Sequence, residues 1–352
     1  MRISRRILDS RISRVWCLLV TGYVTLVVTY SLSRVDKVND RVKSLFIDTD
    51  DCDLTSRTGQ TGQIADLVRI LNCAELDKFE DDLFPCGHTV SKAASSSERL
   101  LDSVSCLQRT FETFVNKSST FLGCTESASR GSTINDEATI RDGKIAIAVV
   151  AALKDSTVVN LSLENKKRYA QKHNYDVIAI DELGSFSRKP AWAKIPLLFS
   201  LLNSGEYDYV WSLDLDTVIL RDIPLTDIIT PGYDIIIAQD SMGLNTGSFV
   251  LRAKSAWSRL LLVFTWQQRY YRGSLYYWEQ TPLNCLYRQS RGVQGHVHVA
   301  AKRLINAYER DWNVNPDGLP MDFEEGQGPF VLHFPGDRDR WKKLKAYYQR
   351  YG

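Results

Sequence analysis

Tyr209-Val-Trp-Ser-Leu-Asp-Leu-Asp-Thr-Val-Ile-Leu220 is the stretch from which the rest of the chain can be read. A largely apolar run, Tyr207 to Leu213, arrives at Asp214 and Asp216, and a second apolar run leaves. Side chains alternate along a strand with period 2, so a strand end places both carboxylates on the same side of the backbone. At the C-terminal edge of a parallel sheet such a pair forms a hard-oxygen site. It suits Mn²⁺, or alternatively Mg²⁺, carrying a diphosphate, because these ions take few carboxylates and leave positions for phosphate oxygens. An isolated Asp-x-Asp is equally ordinary turn chemistry, so the neighbouring pattern has to decide.

That pattern is α/β. Ile145 to Leu153 is a continuous apolar run, as expected of a strand buried on both faces. A helix is predicted over Thr157–His173, a strand over Asp176–Asp181, and a helix over Trp192–Leu202 leading into the strand that ends at Asp214. Asp234–Asp240 and Ser248–Leu251 supply further strands. Strands alternating with helices over short links predict a central, mostly parallel sheet of Rossmann-like, doubly wound type. Ligands bind such sheets at the carboxyl ends of the strands.

Upstream, residues 1–14 carry Arg2, Arg5, Arg6, Arg11 and Arg14 against one acid, Asp9, and residues 15–32 contain no charge. Eighteen uncharged residues are just enough to span a bilayer, and the basic flank keeps the N-terminus cytosolic. We expect a cytoplasmic tail at 1–14, a transmembrane signal-anchor at 15–32, a lumenal stem at 33–140 and a catalytic domain at 141–352. A cleaved signal peptide is the alternative. In the stem, Gly62 to Phe79 has helical spacing. Ser97 is placed to cap a second helix bearing Leu100, Val104, Leu107, Phe111 and Phe114. That stripe needs a partner: the first helix, the catalytic domain, or a second copy in a homodimer through the stem. Thr125 to Asn135 reads as a linker. Cys17 lies in the span, which leaves six cysteines, five of them before residue 125 and none in a zinc-ligand spacing. Disulfides persist in a lumenal compartment, and sequons stand at Asn116 and Asn160. A net charge of +2 with no basic block in the body of the chain gives no reason to expect nucleic-acid binding.

From residue 144 onwards the motifs fall in a recognisable order. They are Tyr169-Ala-Gln-Lys-His-Asn-Tyr-Asp176, Trp192-Ala-Lys-Ile-Pro196, Asp214-Leu-Asp216, Gly243-Leu-Asn-Thr-Gly247, Trp278-Glu-Gln-Thr281 and Val331-Leu-His-Phe-Pro-Gly336. The set resembles glycosyltransferase family 34, which holds fungal α-galactosyl- and α-mannosyltransferases and plant xyloglucan xylosyltransferases. The resemblance implies a GT-A fold, a type II Golgi membrane protein, and retaining, manganese-dependent transfer from a nucleotide sugar to a glycan acceptor. It implies that Asp216 binds the metal, that Asp214 contacts metal or ribose, and that His333 is a third ligand. Lys194 would face the donor diphosphate, where a fixed ammonium neutralises developing charge. Glu279-Gln280 matches the family's acidic-Gln pair, with Gln280 under the β-face of the anomeric carbon and Glu279 on a donor or acceptor hydroxyl.

The same motifs offer further site candidates. Gly336 sits where backbone approaches phosphate. Asn245, in a tight small-residue segment, is free to contact sugar hydroxyls, and Asp240 is a further donor-sugar candidate. Lys342 and Lys343, beyond Gly336, either add positive charge or form a solvated helix face. Pro335-Gly-Asp-Arg338 replaces the cysteines that plant members carry after the late histidine, which favours UDP- or GDP-hexose over xylose. Two rivals remain open: another retaining family of GT-A fold, and a catalytically silent Golgi scaffold or lectin. A hydrolase would need its two carboxylates on opposite sides of a sugar, not one residue apart.

Overall fold

The computed structural model describes residues 96–116, 140–267, 278–309, 328–336 and 339–351. The expected tail, membrane span, first stem helix and Thr125–Asn135 linker lie outside these residues. Among the described residues no helix is long and apolar enough to cross a membrane.

The body is a six-stranded sheet in the order β2-β1-β3-β6-β5-β7. Its strands are β1 (Ile145–Val150), β2 (Asp176–Ile180), β3 (Tyr209–Leu213), β5 (Ile235–Asp240), β6 (Gly243–Arg252) and β7 (Val297–Ala300). Five of the six point the same way, and β6 runs against its neighbours β3 and β5. The mostly parallel sheet expected from the sequence is therefore interrupted by one long reversed strand. A second sheet, β4-β9-β8, joins β4 (Thr217–Ile219), β9 (Val331–His333) and β8 (Ala307–Tyr308).

Helices cover both faces, and β1 shows why. Ile145, Ile147 and Val149 enter one core with Tyr169, Trp211 and Phe330. The alternating Ala146 and Ala148 enter the other, where small side chains admit close helices. That second core is built by α1 (Ser96–Asn116), α3 (Lys194–Asn203), α4 (Ala256–Trp266) and α5 (Gln280–Gln289). In α1, Leu100, Leu107 and Phe111 are buried, and Phe111 meets Phe264 edge-on with centroids 5.9 Å apart. The apolar stripe of the stem thus finds its partner on the sheet body. This helix begins at Ser96, and Ser97 lies against Gly184.

On the opposite face, α2 (Ser156–His173) is capped by Asp155, which accepts from Thr157 N and Val158 N at 3.1 and 3.2 Å. It ends at Asn174 in the left-handed conformation, φ 56°. Residues 190–193 form a 3₁₀ turn, so the helix expected from Trp192 begins at Lys194. Two short helices, α6 (Arg291–His296) and α7 (Lys302–Ile305), flank β7. The last helix, α8 (Arg340–Tyr351), packs Leu344 and Tyr348 on Val218, Leu332 and Phe334 of the small sheet.

Candidate active site

Asp214 and Asp216 do not sit on an extended strand end. β3 stops at Leu213, and a turn closed by Thr217 N on Asp214 O (3.2 Å) carries both acids. Convergence comes from that turn and from the small sheet, whose register pairs Thr217 with His333 and His333 with Tyr308. Asp214, Asp216 and His333 each offer a ligand atom within 4.8 Å of the others. His333 Nε2 lies 3.4 Å from Asp216 Oδ1. The imidazole is 4% exposed, whereas the side chains of Asp214 and Asp216 keep 34% and 18% of their surface. An ion can therefore approach from the carboxylate side.

β6 is delivered to this turn by an irregularity in its pairing. The register with β5 jumps from Ile237↔Phe249 to Ala238↔Asn245, as a bulge does. The freed residues turn towards the acids: Gly247 O accepts from Asp214 N at 2.8 Å, and Thr246 O accepts from Lys194 Nζ at 2.9 Å. Gly247 is obligatory here, because a Cβ would strike the imidazole of His333. The Gly243–Gly247 segment, expected just before a strand, is the first half of that strand.

Lys194 is buried at the start of α3. Its Nζ lies 2.8 Å from Asp214 Oδ1 and 3.0 Å from Glu279 Oε1. Burial lowers its pKa, but Asp214 and Glu279 outweigh that and raise it. The acids diverge. Burial and the charge of Asp216 push the Asp214 carboxyl up, against the pull of Lys194. For Asp216 burial is overcome by His333 and Arg340, and its carboxyl is held below the usual range.

The tautomer of His333 can be derived. Gly247 N–H donates to Asn245 Oδ1 at 2.9 Å, which fixes the orientation of that amide. The Asn306 atom 2.8 Å from the same oxygen must then be its NH₂, which turns Asn306 Oδ1 to His333 Nδ1 at 2.8 Å. An acceptor there requires a proton on Nδ1, so that in the neutral imidazole it is Nε2 that carries the lone pair facing the acids. Two carboxylates and one such imidazole are a donor set suited to Mn²⁺, so the residues fit the ion the sequence implies.

The other expected site residues are brought close, but several are engaged within the protein. Gln280 Oε1 accepts from Thr246 N at 3.0 Å, bracing the bulge. Glu279 is 3% exposed; Oε1 accepts from Lys194 and Thr246 Oγ1, and Oε2 has no partner. Asp240 Oδ1 accepts from Met242 N, and Oδ2 accepts from Asn245 Nδ2 (2.9 Å) and the Tyr308 hydroxyl. Gly336 is left-handed, φ +65°, with open space where a side chain would go, so the turn itself is what requires glycine. Lys343 is not a free surface cation: it pairs with Glu309 at 2.5 Å.

Sequence reasoning missed Thr246, Asn284, Asn306, Tyr308 and Arg340. Asn284 clamps Leu244 through both backbone groups, at 2.7 and 2.9 Å. Arg340 Nε is buried without a hydrogen-bond partner, 4.0 Å from Asp216 Oδ2. A lone polar residue in a two-residue strand such as Ala307–Tyr308 leaves no periodicity to detect.

The model of the galactosyl transferase GMA12/MNN10 family matches residues 145–231 and 222–340. A probable α-1,6-mannosyltransferase MNN10 of Saccharomyces cerevisiae is 26% identical over 234 residues, 54% of this chain and 59% of that protein. An uncharacterised α-1,2-galactosyltransferase of Schizosaccharomyces pombe is 28% identical over 210 residues, 46% of this chain and 54% of its own length. A probable xyloglucan 6-xylosyltransferase of Oryza sativa is 26% identical over 191 residues, 51% of this chain and 36% of its own. The chain thus spans little more than half the length of the first two curated relatives. Among solved structures, a glycosyltransferase involved in glycosylation of the major capsid of PBCV-1 overlays at a TM-score of 0.45 and 14% identity, over 58% of this chain and 99% of its own. The two family matches together take in more than half of the sequence, and on that ground the chain belongs to the galactosyl transferase GMA12/MNN10 family.

Proposed function

We propose that this chain is a retaining α-glycosyltransferase of GT-A fold, moving a hexose from a UDP- or GDP-sugar to a glycan acceptor. The observation that carries the reading is the convergence of Asp214, Asp216 and His333 within 4.8 Å, with buried Lys194 held against Asp214. Asp214, Asp216 and His333 would hold Mn²⁺, which supplies positive charge to the donor diphosphate. Lys194 adds a fixed ammonium beside it, oriented before substrate arrives by Glu279 and Thr246 O. Glu279, Gln280, Asn245 and Asp240 shape the sugar end of the site. In same-face transfer the departing phosphate oxygen takes the acceptor proton, so no basic side chain is needed. We place the site in the Golgi lumen, behind the membrane span expected at residues 15–32.

The test is nucleotide release from UDP-Gal, UDP-Glc, UDP-Xyl, UDP-GlcNAc and GDP-Man by residues 36–352 made in a secretory host. Release from one donor, abolished by EDTA and by Asp216→Asn, is the expected result. No release from any donor, with no Mn²⁺-dependent UDP or GDP binding, would overturn the transferase and leave a scaffold or lectin.

A further inference from the structure

Trp278 is the residue of the Trp-Glu-Gln-Thr motif to which the site gives no task. It is 46% exposed, whereas Trp192, Trp211, Trp257 and Trp266 are all buried. Its φ is +49°, in the left-handed region that bulky side chains avoid. Among the described residues it shares that feature only with Asn174, a helix cap of a type that tolerates it. Nearly half of the surface of this large side chain is left in solvent, on a backbone that bulky residues avoid. Strain of this kind persists where surrounding structure imposes it, and it gathers at ligand sites.

The surroundings here do impose it. The Trp278 carbonyl accepts from Thr281 N at 3.3 Å, closing the turn that starts α5. Glu279, the next residue, is buried against Lys194 and Thr246. The backbone therefore passes from the buried sugar end of the site to solvent within one residue, and Trp278 is the solvent side of that step. Donor atoms belong on the metal side, among buried Lys194, Asn245 and Thr246. The second sugar has to enter from solvent, and the half-exposed indole stands one residue from buried Glu279.

We infer that Trp278 is the acceptor platform: its ring stacks on the apolar face of an acceptor pyranose and holds that sugar beside Glu279. A pyranose presents axial C–H groups on one face and hydroxyls at its edge. The electron-rich face of an indole matches the first, and the polar wall behind it matches the second. This rests on the transferase reading for the word acceptor, but the binding can be measured without turnover.

The experiment is saturation-transfer NMR on the same lumenal protein with two probes, a linear α-linked mannotriose and galactosyl-α-1,2-mannose. Wild type, Trp278→Tyr and Trp278→Ala are compared, and Mn²⁺-dependent UDP and GDP affinity is measured on each. Saturation of ring C–H protons in wild type and the Tyr variant is expected. In the Ala variant the sugar Kd should rise about tenfold, 1.4 kcal/mol, while nucleotide affinity stays within about threefold. A side chain with only a structural role would instead lower sugar and nucleotide binding together. The inference is overturned by equal sugar binding in wild type and the Ala variant, by a parallel loss of nucleotide, or by no sugar binding in wild type. A wild type that binds sugar through Trp278 yet releases nucleotide from no donor separates the two claims: the platform stands and the transferase falls.

Discussion

At Asn306 one amide joins the backbone of β6, through Asn245, to the imidazole of His333. Its donor end is fixed by Asn245 and its acceptor end holds the proton on Nδ1. Asn306 therefore decides which nitrogen of His333 faces the carboxylates. Outer partners of this kind are typically worth 10–100-fold in metal affinity. Asn306→Leu removes both ends at similar size, and Gly247 N–H still satisfies Asn245 Oδ1. We expect Mn²⁺ binding, followed by the paramagnetic signal of free ion, to weaken by about 10–100-fold in a variant that stays folded by circular dichroism. Unchanged Mn²⁺ affinity would show that the imidazole is oriented by something else, or is no ligand.

The α2 helix acts at the next scale, as a clamp on the segment leaving the acids. Ser162 Oγ donates to Leu215 O, Lys166 Nζ to Thr217 O, and Asn165 brackets Ile219 through both its N–H and its C=O. The Leu215 and Thr217 carbonyls belong to the turn that aims Asp214 and Asp216, and Ile219 ends the strand that follows it. Lys166 is fully buried, and that burial pushes its pKa down to about 7; the charges of Asp216 and Asp214 keep it from falling further. A neutral amine has two N–H donors, and two acceptors are present, Ser162 Oγ at 2.8 Å and Thr217 O at 2.9 Å. The stability consequence has a definite sign. Between pH 7 and the ordinary value of 10.5 the unfolded chain carries a proton on this lysine that the folded chain does not. Stability from this group therefore rises with pH across that window. In urea titrations with EDTA, wild type should gain stability relative to Lys166→Met from pH 7 towards 10. Parallel curves for the two proteins would mean that the lysine keeps its ordinary pKa.

Across the whole molecule, what the sequence revealed tracks how locally each feature is encoded. Strands β1, β2, β3 and β5 announce themselves as apolar runs, and the acids, Lys194 and His333 stand in motifs of fixed order. The bulge in β6 is a register jump inside the β5–β6 hairpin that no alternation of side chains announces. The contacts of Asn245 with Asn306 and Tyr308 join residues more than 60 positions apart, and no short window of sequence contains both halves. The same limit applies to α1, whose stripe was legible while its partner was not. Leu100, Leu107 and Phe111 are buried in one cluster with Leu198, Phe199 and Phe264. At roughly 1.5–3 kcal/mol for each large apolar side chain, those three contribute about 5–9 kcal/mol. A whole domain is stable by only about 5–15 kcal/mol. Cys285, on α5, is also disulfide-bonded, and every other cysteine of the chain precedes residue 125. A fragment cut at the expected domain boundary, residues 141–352, loses the helix and leaves Cys285 without a partner. A fragment from residue 50 keeps the helix, and with it Cys106, which is also disulfide-bonded. We expect the longer fragment to be secreted as a monodisperse protein with a cooperative melt, and the shorter one to aggregate or to melt at least about 10 °C lower. Equal melting of the two would return α1 to the stem and make the sheet body self-sufficient.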